Sequence, residues 1–329
     1  MTTVSLSTEI HPDFSEYVVK LLSKNRIGTV FEFVRCENDR LIRITNFPFE
    51  QICAIKLELT ERFSGNNIQV PEYFRYLSEL VEPLETRIHG LDLLLEGGLL
   101  PGHVLEVCGD SATGKTQLCT TIALNVALKH KFDVFYVDTK CDFSVQRCHQ
   151  MLKHRQLTED VWQQTMDRIK VERIFSPEGL ICAVESLLET VDDMTKFKLL
   201  IIDSLPSLWY MYQNSKSNCY PLGTLTRLIG ILRKLASENL ISVVLVNLRI
   251  RSFDSFGQST SKRSGHRTAN GYYSALGRYW ETAPTTRLLL CKLEDNESTD
   301  EKRWISVWKS NYLKTKTRQI VTISDRGVL

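Results

Sequence analysis

The sequence lacks the features that mark several common classes of protein. No run approaches the roughly 18 apolar residues that a membrane-spanning helix needs. Residues 1–10 have no basic segment followed by an apolar one, so a secretory leader is not expected. The nine cysteines are scattered, and none of them forms a C-x-x-C pair with another. Scattered thiols in odd number favour a reduced cytosolic or nuclear protein over a disulfide framework or a zinc site.

An excess of charge of either sign is also missing. The 41 basic and 39 acidic residues give a formal net charge of +2 at neutral pH. A nucleic-acid site would therefore have to come from local clustering of basic residues. No repeat of solenoid length is present. A chain of 329 residues is long enough for one large domain and one small domain.

The most informative stretch matches the phosphate-binding pattern G-x-x-x-x-G-K-[ST]. Its residues are Gly109, Asp110, Ser111, Ala112, Thr113, Gly114, Lys115 and Thr116. The backbone N–H groups of such a loop face an anion, Lys115 would reach the β- and γ-phosphates of ATP, and the Thr116 hydroxyl would ligate Mg²⁺. A buried strand is predicted at residues 104–108 and a helix at 117–128. This setting favours a phosphate at a helix N-terminus over a chance glycine-rich turn.

Further apolar runs predict the strands around that loop. They occur at residues 134–138, 199–203 and 241–247. The second run ends in Asp203, which is the Walker B pattern, and its carboxylate would join the Mg²⁺ shell, usually through water. Strands that alternate with helices predict a mainly parallel sheet with helices on both faces. Ligands of such sheets sit at the carboxyl ends of the strands, where Asp138, Asp203 and Asn247 fall.

The last part of the chain predicts an extension of this sheet. Apolar stretches occur at residues 286–293, 304–309 and 319–323. The acidic stretch at 294–301 separates the first two and is most simply a solvated hairpin loop.

The first part of the chain predicts a small helical domain. Apolar residues recur at helical spacing between residues 13 and 63, and polar residues with a glycine follow. The predicted organisation is a helical domain at 1–64, a linker at 65–84 with a short helix at 73–80, and a core at 85–329. About fifty residues are marginal for an independent core, so a docking or spacer role is favoured for the small domain.

Two loops of the predicted core combine basic and aromatic residues. They cover about residues 207–222 and 249–278, each after a strand tip. The candidate DNA-binding residues of the second loop are Arg249, Arg251, Lys262, Arg263 and Arg267, and aromatic residues occur over 249–280, among them Tyr272 and Trp280. Basic groups follow a phosphate backbone and aromatic rings stack on unpaired bases, so this loop favours single-strand binding over a solvated loop without a ligand. The first loop, with Trp209 and Tyr210, would add a stacking surface or pack on a partner.

These motifs resemble those of the RecA/RadA strand-exchange recombinases. The matching segments are residues 88–92 with Gly97 and Gly98, the phosphate loop, residues 136–139 and residues 199–204. The resemblance covers about residues 85–329, and the small helical domain is similar to the degenerate helix-hairpin-helix domain of eukaryotic and archaeal members. Residues 274–280 and 284–288 are most similar to the eukaryotic recombinase paralogues, in particular to their D branch.

The resemblance implies both a fold and a function. The fold would be a RecA-like α/β ATPase core, a mainly parallel sheet flanked by helices, with ATP and Mg²⁺ as cofactors. The function would be homologous-recombination repair in the nucleus. The partners would be other recombinase paralogues in a hetero-oligomer and single-stranded or branched DNA.

The sequence departs from the family pattern at two positions of the predicted site. The family has Asp-Thr-Glu-Gly after the second strand, and its Glu polarises the attacking water. Here Lys140 stands in place of that Glu, and a cation cannot act as a general base, while Asp142 is in the wrong register to replace it. The family also has Asn-Gln after the fourth strand, where the amide senses the γ-phosphate. Here Leu248 follows Asn247, and leucine cannot hydrogen-bond to a phosphate.

These departures favour an ATP-binding subunit whose hydrolysis is weak or depends on a partner. The Phe-x-x-Ala segment by which filament-forming members pair is also missing between the small domain and the core. Two alternatives stay open. One is an autonomous DNA-dependent ATPase that forms filaments and exchanges strands, and the other is a scaffold whose nucleotide only stabilises the fold.

Overall fold

The computed structural model describes residues 4–64, 69–71, 81–190, 196–210, 219–251, 272–293 and 301–329. The chain forms two compact units, Met1–Tyr76 and Leu77–Leu329. The predicted linker helix at 73–80, most of the acidic stretch at 294–301 and most of both basic loops lie outside the described residues.

The first unit consists of short helices around a small apolar core. The helices are Glu16–Lys24 (α1), Val30–Arg35 (α2), Asn38–Thr45 (α3) and Phe49–Phe63 (α4). α2 begins with a reciprocal cap, in which the Glu32 amide donates to the Thr29 hydroxyl and the Thr29 amide donates to the Glu32 carboxylate. Hydrogen bonds from the Gly28 and Thr29 amides lower the pKa of Glu32. The helical unit that the apolar spacing predicts is confirmed.

The second unit is built on a ten-stranded sheet. The strands are Val104–Gly109 (β1), Asp133–Asp138 (β2), Ile169–Arg173 (β3), Phe197–Asp203 (β4), Ser242–Arg251 (β5), Tyr272–Ser274 (β6), Thr286–Lys292 (β7), Lys302–Ser310 (β8), Arg318–Ser324 (β9) and Gly327–Val328 (β10). Their order is β10-β9-β8-β7-β1-β5-β4-β2-β3, and β6 pairs with β5. The pairs from β7 to β3 along this order are parallel, and β8, β9 and β10 are added antiparallel. The predicted parallel sheet with an extension from the last part of the chain is confirmed.

Helices cover both faces of the sheet. They are His89–Leu94 (α5), Lys115–Asn125 (α6), Val145–Lys153 (α7), Glu159–Asp167 (α8), Pro177–Thr190 (α9), Leu205–Trp209 (α10), Cys219–Asn239 (α11) and Gly277–Trp280 (α12), and a π-helical turn, Val126–His130, follows α6. No helix among the described residues is long and apolar enough to cross a membrane.

Side chains of the central strands alternate between two apolar cores. Along β4, Leu199 belongs to one core with Ile122 of α6, and Leu200 belongs to the other with Leu232 of α11. Successive side chains of a strand point to opposite faces, so a strand covered on both faces has an uninterrupted apolar run. This explains why the central strands were predictable as continuous apolar stretches.

The second basic loop is shorter than the predicted span of 249–278. β5 continues to Arg251, and its last residues pair antiparallel with β6, with Arg249 opposite Ser274 and Arg251 opposite Tyr272. The first loop is also shorter than 207–222, because α10 extends to Trp209 and α11 begins at Cys219. Both predicted spans were too wide, because strands and helices continue into them.

Candidate nucleotide site

The phosphate loop joins β1 to α6 with a backbone that requires glycine at two positions. Gly114 has a φ of +100°, and a side chain there would meet Ile323 of β9. A Cβ on Gly109 would lie 2.5 Å from the carbonyl oxygen of Leu290. The two glycines of the motif are therefore needed for the left-handed conformation and for the close approach of a neighbouring strand.

The Lys115 side chain folds back into the loop. Its Nζ donates to the carbonyl oxygen of Gly109 at 3.1 Å and to that of Asp110 at 2.6 Å. The side chain is buried. Burial lowers the pKa of Lys115, and the positive charge of Lys140 lowers it further. A desolvated ammonium with carbonyl partners forms strong charge-assisted hydrogen bonds when a phosphate replaces those carbonyls.

Thr116 and Asp203, the two predicted Mg²⁺ ligands, are in direct contact. The Thr116 hydroxyl donates to Asp203 Oδ2 at 2.6 Å, and the Tyr136 hydroxyl of β2 donates to the same oxygen at 3.0 Å. Asp203 is 1% exposed, and burial raises the pKa of its carboxyl, against the opposing effect of the Thr116 hydrogen bond. Tyr136 was in the predicted strand, but nothing in its local sequence indicated a role for its hydroxyl.

The chemistry of these oxygens fits a magnesium ion. Asp203 Oδ1 is buried and has no hydrogen-bond partner among the described residues. A buried carboxylate oxygen beside a hydroxyl is the kind of hard oxygen ligand that Mg²⁺ takes in phosphate sites. Thr116 and Asp203 would hold the ion between the loop and the tip of β4.

Lys140 lies at the same site and is paired with an acid. Its Nζ is 2.9 Å from Asp142 Oδ2 and 4.0 Å from Asp203 Oδ1. Burial opposes the charge of Lys140, but the hydrogen bond to Asp142 and the charge of Asp203 outweigh it, and the pKa of Lys140 is raised. The side chain is therefore a cation at neutral pH.

Asp138, also predicted at the ligand edge, shapes the backbone that carries Lys140. Its carboxylate accepts from the amides of Lys140 at 3.2 Å, Asp142 at 3.1 Å and Phe143 at 3.1 Å. Three backbone donors occupy the oxygens that a ligand would otherwise use. Asp138 thus holds the turn that presents Lys140.

An open cavity of about 730 Å³ covers the site. Lys115, Thr116, Lys140, Leu248 and Arg303 are among the residues that line it. A volume of this size suits a small-molecule ligand such as a nucleotide. Lys140 and Leu248, the two departures from the family pattern, both line this cavity.

Asn247 takes part in a buried network that includes Glu106 of β1. Its Nδ2 donates to Glu106 Oε1 at 2.5 Å and to the Ala275 carbonyl oxygen at 3.2 Å. Trp280 Nε1 donates to the same Glu106 oxygen at 2.7 Å, and Arg287 Nε donates to the other. Glu106 and Trp280 are both fully buried.

Two aromatic residues of the predicted stacking surfaces are buried in the structure. Trp280 is a core residue, and so is Trp209, whose Nε1 donates to the Thr224 hydroxyl at 3.1 Å. Neither ring can stack on a nucleic-acid base without unfolding its surroundings. Tyr210 is 71% exposed and lines the cavity, so it stays a candidate.

Of the predicted DNA-binding residues, Arg249 is the one whose side chain the structure describes. Its guanidinium pairs with Asp110 of the phosphate loop and lies over the ring of Tyr272. The backbone of Arg251 lies in β5, and Lys262, Arg263 and Arg267 lie outside the described residues.

The last part of the chain also contacts the loop, which the sequence did not indicate. Arg303 Nε of β8 donates to the Thr113 carbonyl oxygen at 3.0 Å. Arg303 is buried. This contact joins residues far apart in the chain, so no local sequence pattern predicts it.

Comparisons with known proteins match the chain to one family. The Rad51 family model matches residues 78–329. DNA repair protein RAD51 homolog 4, the D paralogue, is 26% identical in both Bos taurus and Mus musculus. The bovine match covers 96% of this chain and 94% of the relative, and the mouse match covers 96% and 93%. The predicted resemblance, including its D branch, is confirmed.

Archaeal relatives match about half of the chain. DNA repair and recombination protein RadB of Pyrococcus horikoshii is 35% identical over 50% of this chain and 66% of its own length. A crystal structure of the RadB recombinase superimposes with a TM-score of 0.57 at 24% identity, covering 74% of this chain and 98% of that one. The likeness in structure confirms the RecA-like fold of the core.

Proposed function

The chain belongs to the Rad51 family, and from that premise we propose that it is an ATP-binding paralogue subunit. It works in a hetero-oligomer with other recombinase paralogues, contacts single-stranded or branched DNA, and supports recombinational repair in the nucleus. The observation that carries this proposal is Lys140, a cation paired with Asp142 at the mouth of an otherwise complete phosphate and metal site.

Binding of ATP is supported by the loop and the two oxygen ligands. Lys115, whose Nζ now donates to two loop carbonyl oxygens, would donate to the β- and γ-phosphates, and the backbone N–H groups at the start of α6 would face the same anion. A bound Mg²⁺ would neutralise charge on those phosphates. Thr116 and Asp203 would hold that ion, since their oxygens already meet at 2.6 Å.

Weak hydrolysis follows from the charge at position 140. In-line attack needs a carboxylate or an amide that orients the water. Lys140 carries an ammonium, and the nearby Asp142 carboxylate is held by that ammonium at 2.9 Å. The cation adds positive charge that favours ATP binding, but it cannot take a proton from water. A neighbouring subunit supplies the missing group across an interface, as arginine fingers do in other nucleotide enzymes.

The two loops support DNA contact, and the departures of the sequence from the family pattern support assembly with other subunits. The second loop follows β5, whose Arg249 contacts the phosphate loop, and its basic residues would track a phosphate backbone. Position 248 is a leucine and not the family's glutamine, and the sequence between the small domain and the core has no Phe-x-x-Ala segment. Both observations disfavour an autonomous strand-exchange enzyme that forms filaments. A subunit of a mixed assembly needs neither feature from its own chain.

Single-turnover hydrolysis of ATP tests this proposal. We expect the isolated wild-type chain to bind Mg·ATP and to turn it over very slowly. Lys140→Glu should raise the rate, and the double variant Lys140→Glu/Leu248→Gln should raise it further, by about tenfold or more in total, which is about 1.4 kcal/mol of barrier. Lys170→Glu makes the same charge change at an exposed position of β3 and should leave the rate unchanged.

Two results would contradict the proposal. A wild-type rate equal to that of the double variant would mean that Lys140 does not occupy the water-activating position. Fast turnover stimulated by single-stranded DNA, with filaments, would favour the autonomous enzyme instead.

A further inference from the structure

The two carboxylate oxygens of Asp203 have unequal surroundings. Oδ2 accepts from two hydroxyl groups, that of Thr116 at 2.6 Å and that of Tyr136 at 3.0 Å. Oδ1 is buried and has no hydrogen-bond partner among the described residues. The ammonium of Lys140 lies 4.0 Å from Oδ1. Two donors therefore hold one oxygen of the predicted metal ligand, and the other oxygen can take a cation.

The register of the sheet places Tyr136 beside Asp203. β2 and β4 pair in parallel, with Tyr136 opposite Ile201 and Asp138 opposite Asp203. Residues two apart in a strand point to the same face, so Tyr136 is the diagonal neighbour of Asp203 on one face of the sheet. Tyr136 is fully buried, and the centre of its ring lies 4.7 Å from that of Phe143. The packed core thus fixes the ring, and its hydroxyl reaches the tip of β4.

Lys140 is a potential competitor for the other oxygen of Asp203. A charge-assisted hydrogen bond between them would need a separation of about 2.8 Å, so at 4.0 Å the two groups are close but not bonded. The ammonium is held instead by Asp142 at 2.9 Å. A buried carboxylate that lacks donors is stabilised by any charged partner within reach. Lys140 and a bound Mg²⁺ would therefore compete for Asp203 Oδ1, and the family's glutamate at this position could not compete in that way.

We infer that Tyr136 is a positioning residue that keeps Asp203 available to the metal ion against the attraction of Lys140. The hydroxyl of Tyr136, together with that of Thr116, holds Oδ2 and restrains rotation of the carboxylate. Oδ1 then stays short of Lys140. Without the Tyr136 hydroxyl, the carboxylate turns toward Lys140 and forms an ion pair that the metal ion must break. The inference rests on the proposed binding of Mg·ATP.

Metal binding, measured separately from nucleotide binding, tests this role in the full chain. Mn²⁺ is the probe, because electron paramagnetic resonance follows its binding to the chain in the presence of a slowly hydrolysed ATP analogue. Affinity for the same analogue in EDTA, without metal, is measured in parallel. The test variants are Tyr136→Phe, Lys140→Met and their double variant. Tyr312→Phe is the matched control, since it removes the hydroxyl of a tyrosine that packs on His103, before the start of β1.

In Tyr136→Phe, the dissociation constant for Mn²⁺ should rise by about fivefold or more, the scale of one lost hydrogen bond to a charged group. Affinity for the metal-free analogue should be unchanged, because the phosphate loop is intact. Lys140→Met removes a like charge and should strengthen Mn²⁺ binding. In the Lys140→Met background, Tyr136→Phe should weaken Mn²⁺ binding by less than about twofold, since effects on one shared group are not additive. Tyr312→Phe should behave as the wild type does.

Phe143→Leu is a second variant, which loosens the packing of the Tyr136 ring and keeps its hydroxyl. It should weaken Mn²⁺ binding in the same direction but to a smaller extent, and Lys140→Met should again suppress the loss. If Tyr136→Phe does not fold, Phe143→Leu decides in its place.

Three outcomes would overturn the inference. The first is an unchanged Mn²⁺ affinity in Tyr136→Phe. The second is an equal loss of Mn²⁺ affinity with and without Lys140. The third is an equal loss of affinity for the metal-free analogue, which would indicate a structural role of Tyr136. All three leave the proposed function intact, whereas a wild type that binds no ATP analogue would overturn the proposed function and this inference with it.

Discussion

At the scale of the residue, Lys115 is a buried cation whose hydrogen-bond partners are backbone carbonyls. Lys115→Ala removes the charge that meets the phosphates, so we expect ATP affinity to fall by about tenfold or more, which is the loss of one charge-assisted hydrogen bond. Because burial lowers the pKa of Lys115, ATP affinity in the wild type should begin to fall at a lower alkaline pH than an ordinary lysine would give. Equilibrium binding of a fluorescent ATP analogue across pH measures both effects.

The control for this prediction is Lys170→Ala, at an exposed position of β3. Both variants should keep the far-ultraviolet circular dichroism of the wild type. If Lys115→Ala folds and its ATP affinity is unchanged, the phosphate loop does not bind ATP.

How far single residues could be predicted depends on how local their partners are. The loop residues Lys115 and Thr116 belong to one short motif, and Asp203 ends an apolar strand, so their sequence neighbours identified them. Arg303 and the Asp110–Arg249 pair could not be predicted, because each contact joins segments that meet only in the folded sheet.

At the scale of the element, a buried ion pair joins β1 to β7. Glu106 and Arg287 are both almost fully buried, and Glu106 also accepts from Trp280 at the end of α12. Arg287→Met leaves the Glu106 charge without its partner, and we expect it to cost about 3–5 kcal/mol of unfolding free energy. In the double variant Glu106→Gln/Arg287→Met both charges of the pair are removed, and the Gln side-chain oxygen can still accept from Trp280. Most of the lost unfolding free energy should therefore be recovered.

Denaturant unfolding of the full chain, followed by the fluorescence of the buried tryptophans, measures this difference. Equal destabilisation in the single and the double variant would show that the unpaired charge is not what makes Arg287→Met costly.

The second basic loop is the element whose charge should set DNA affinity. The tested residues are Arg251, Lys262, Arg263 and Arg267, each changed to Gln. If they contact phosphates, affinity for single-stranded DNA should fall, and each lost contact should remove roughly 0.7 from the slope of log affinity against log salt. A control chain carries the same change at four exposed lysines, Lys20, Lys24, Lys170 and Lys314. An unchanged slope in the loop variant would mean that the loop is solvated and binds no DNA.

Elements were predictable where their apolar pattern is continuous. β2 and β4 are apolar runs, but β3 is a short, mostly exposed strand that pairs with β2, and it was not predicted because it has no continuous apolar run. The extension of β5 to Arg251 was missed for a related reason. Its last residues are stabilised by pairing with β6, which follows after a long insertion.

At the scale of the whole molecule, the described site contacts all lie within the unit Leu77–Leu329. A ligand that binds only the folded state stabilises it by about 2.7 kcal/mol at a hundred times its dissociation constant. Saturating Mg·ATP should therefore slow hydrogen exchange in β1, β2 and β4, with α1 to α4 as the reference. An equal change in both units would contradict a site confined to the second one, and Lys115→Ala should abolish the effect.

The parallel order of the sheet has a consequence for how the protein is made. Arg249, the partner of Asp110, is synthesised 139 residues after it, and Arg287, the partner of Glu106, is synthesised 181 residues after it. At roughly 5–20 residues per second, β5 follows β1 by about 7–28 s and β7 follows it by about 9–36 s. Until β5 has been synthesised, β1, which is buried along its whole length in the finished fold, has both edges free to pair with another chain. Two residues that line the nucleotide cavity, Arg303 and Ile323, lie in β8 and β9, so bound ATP would stabilise β1 only after those last strands have been synthesised.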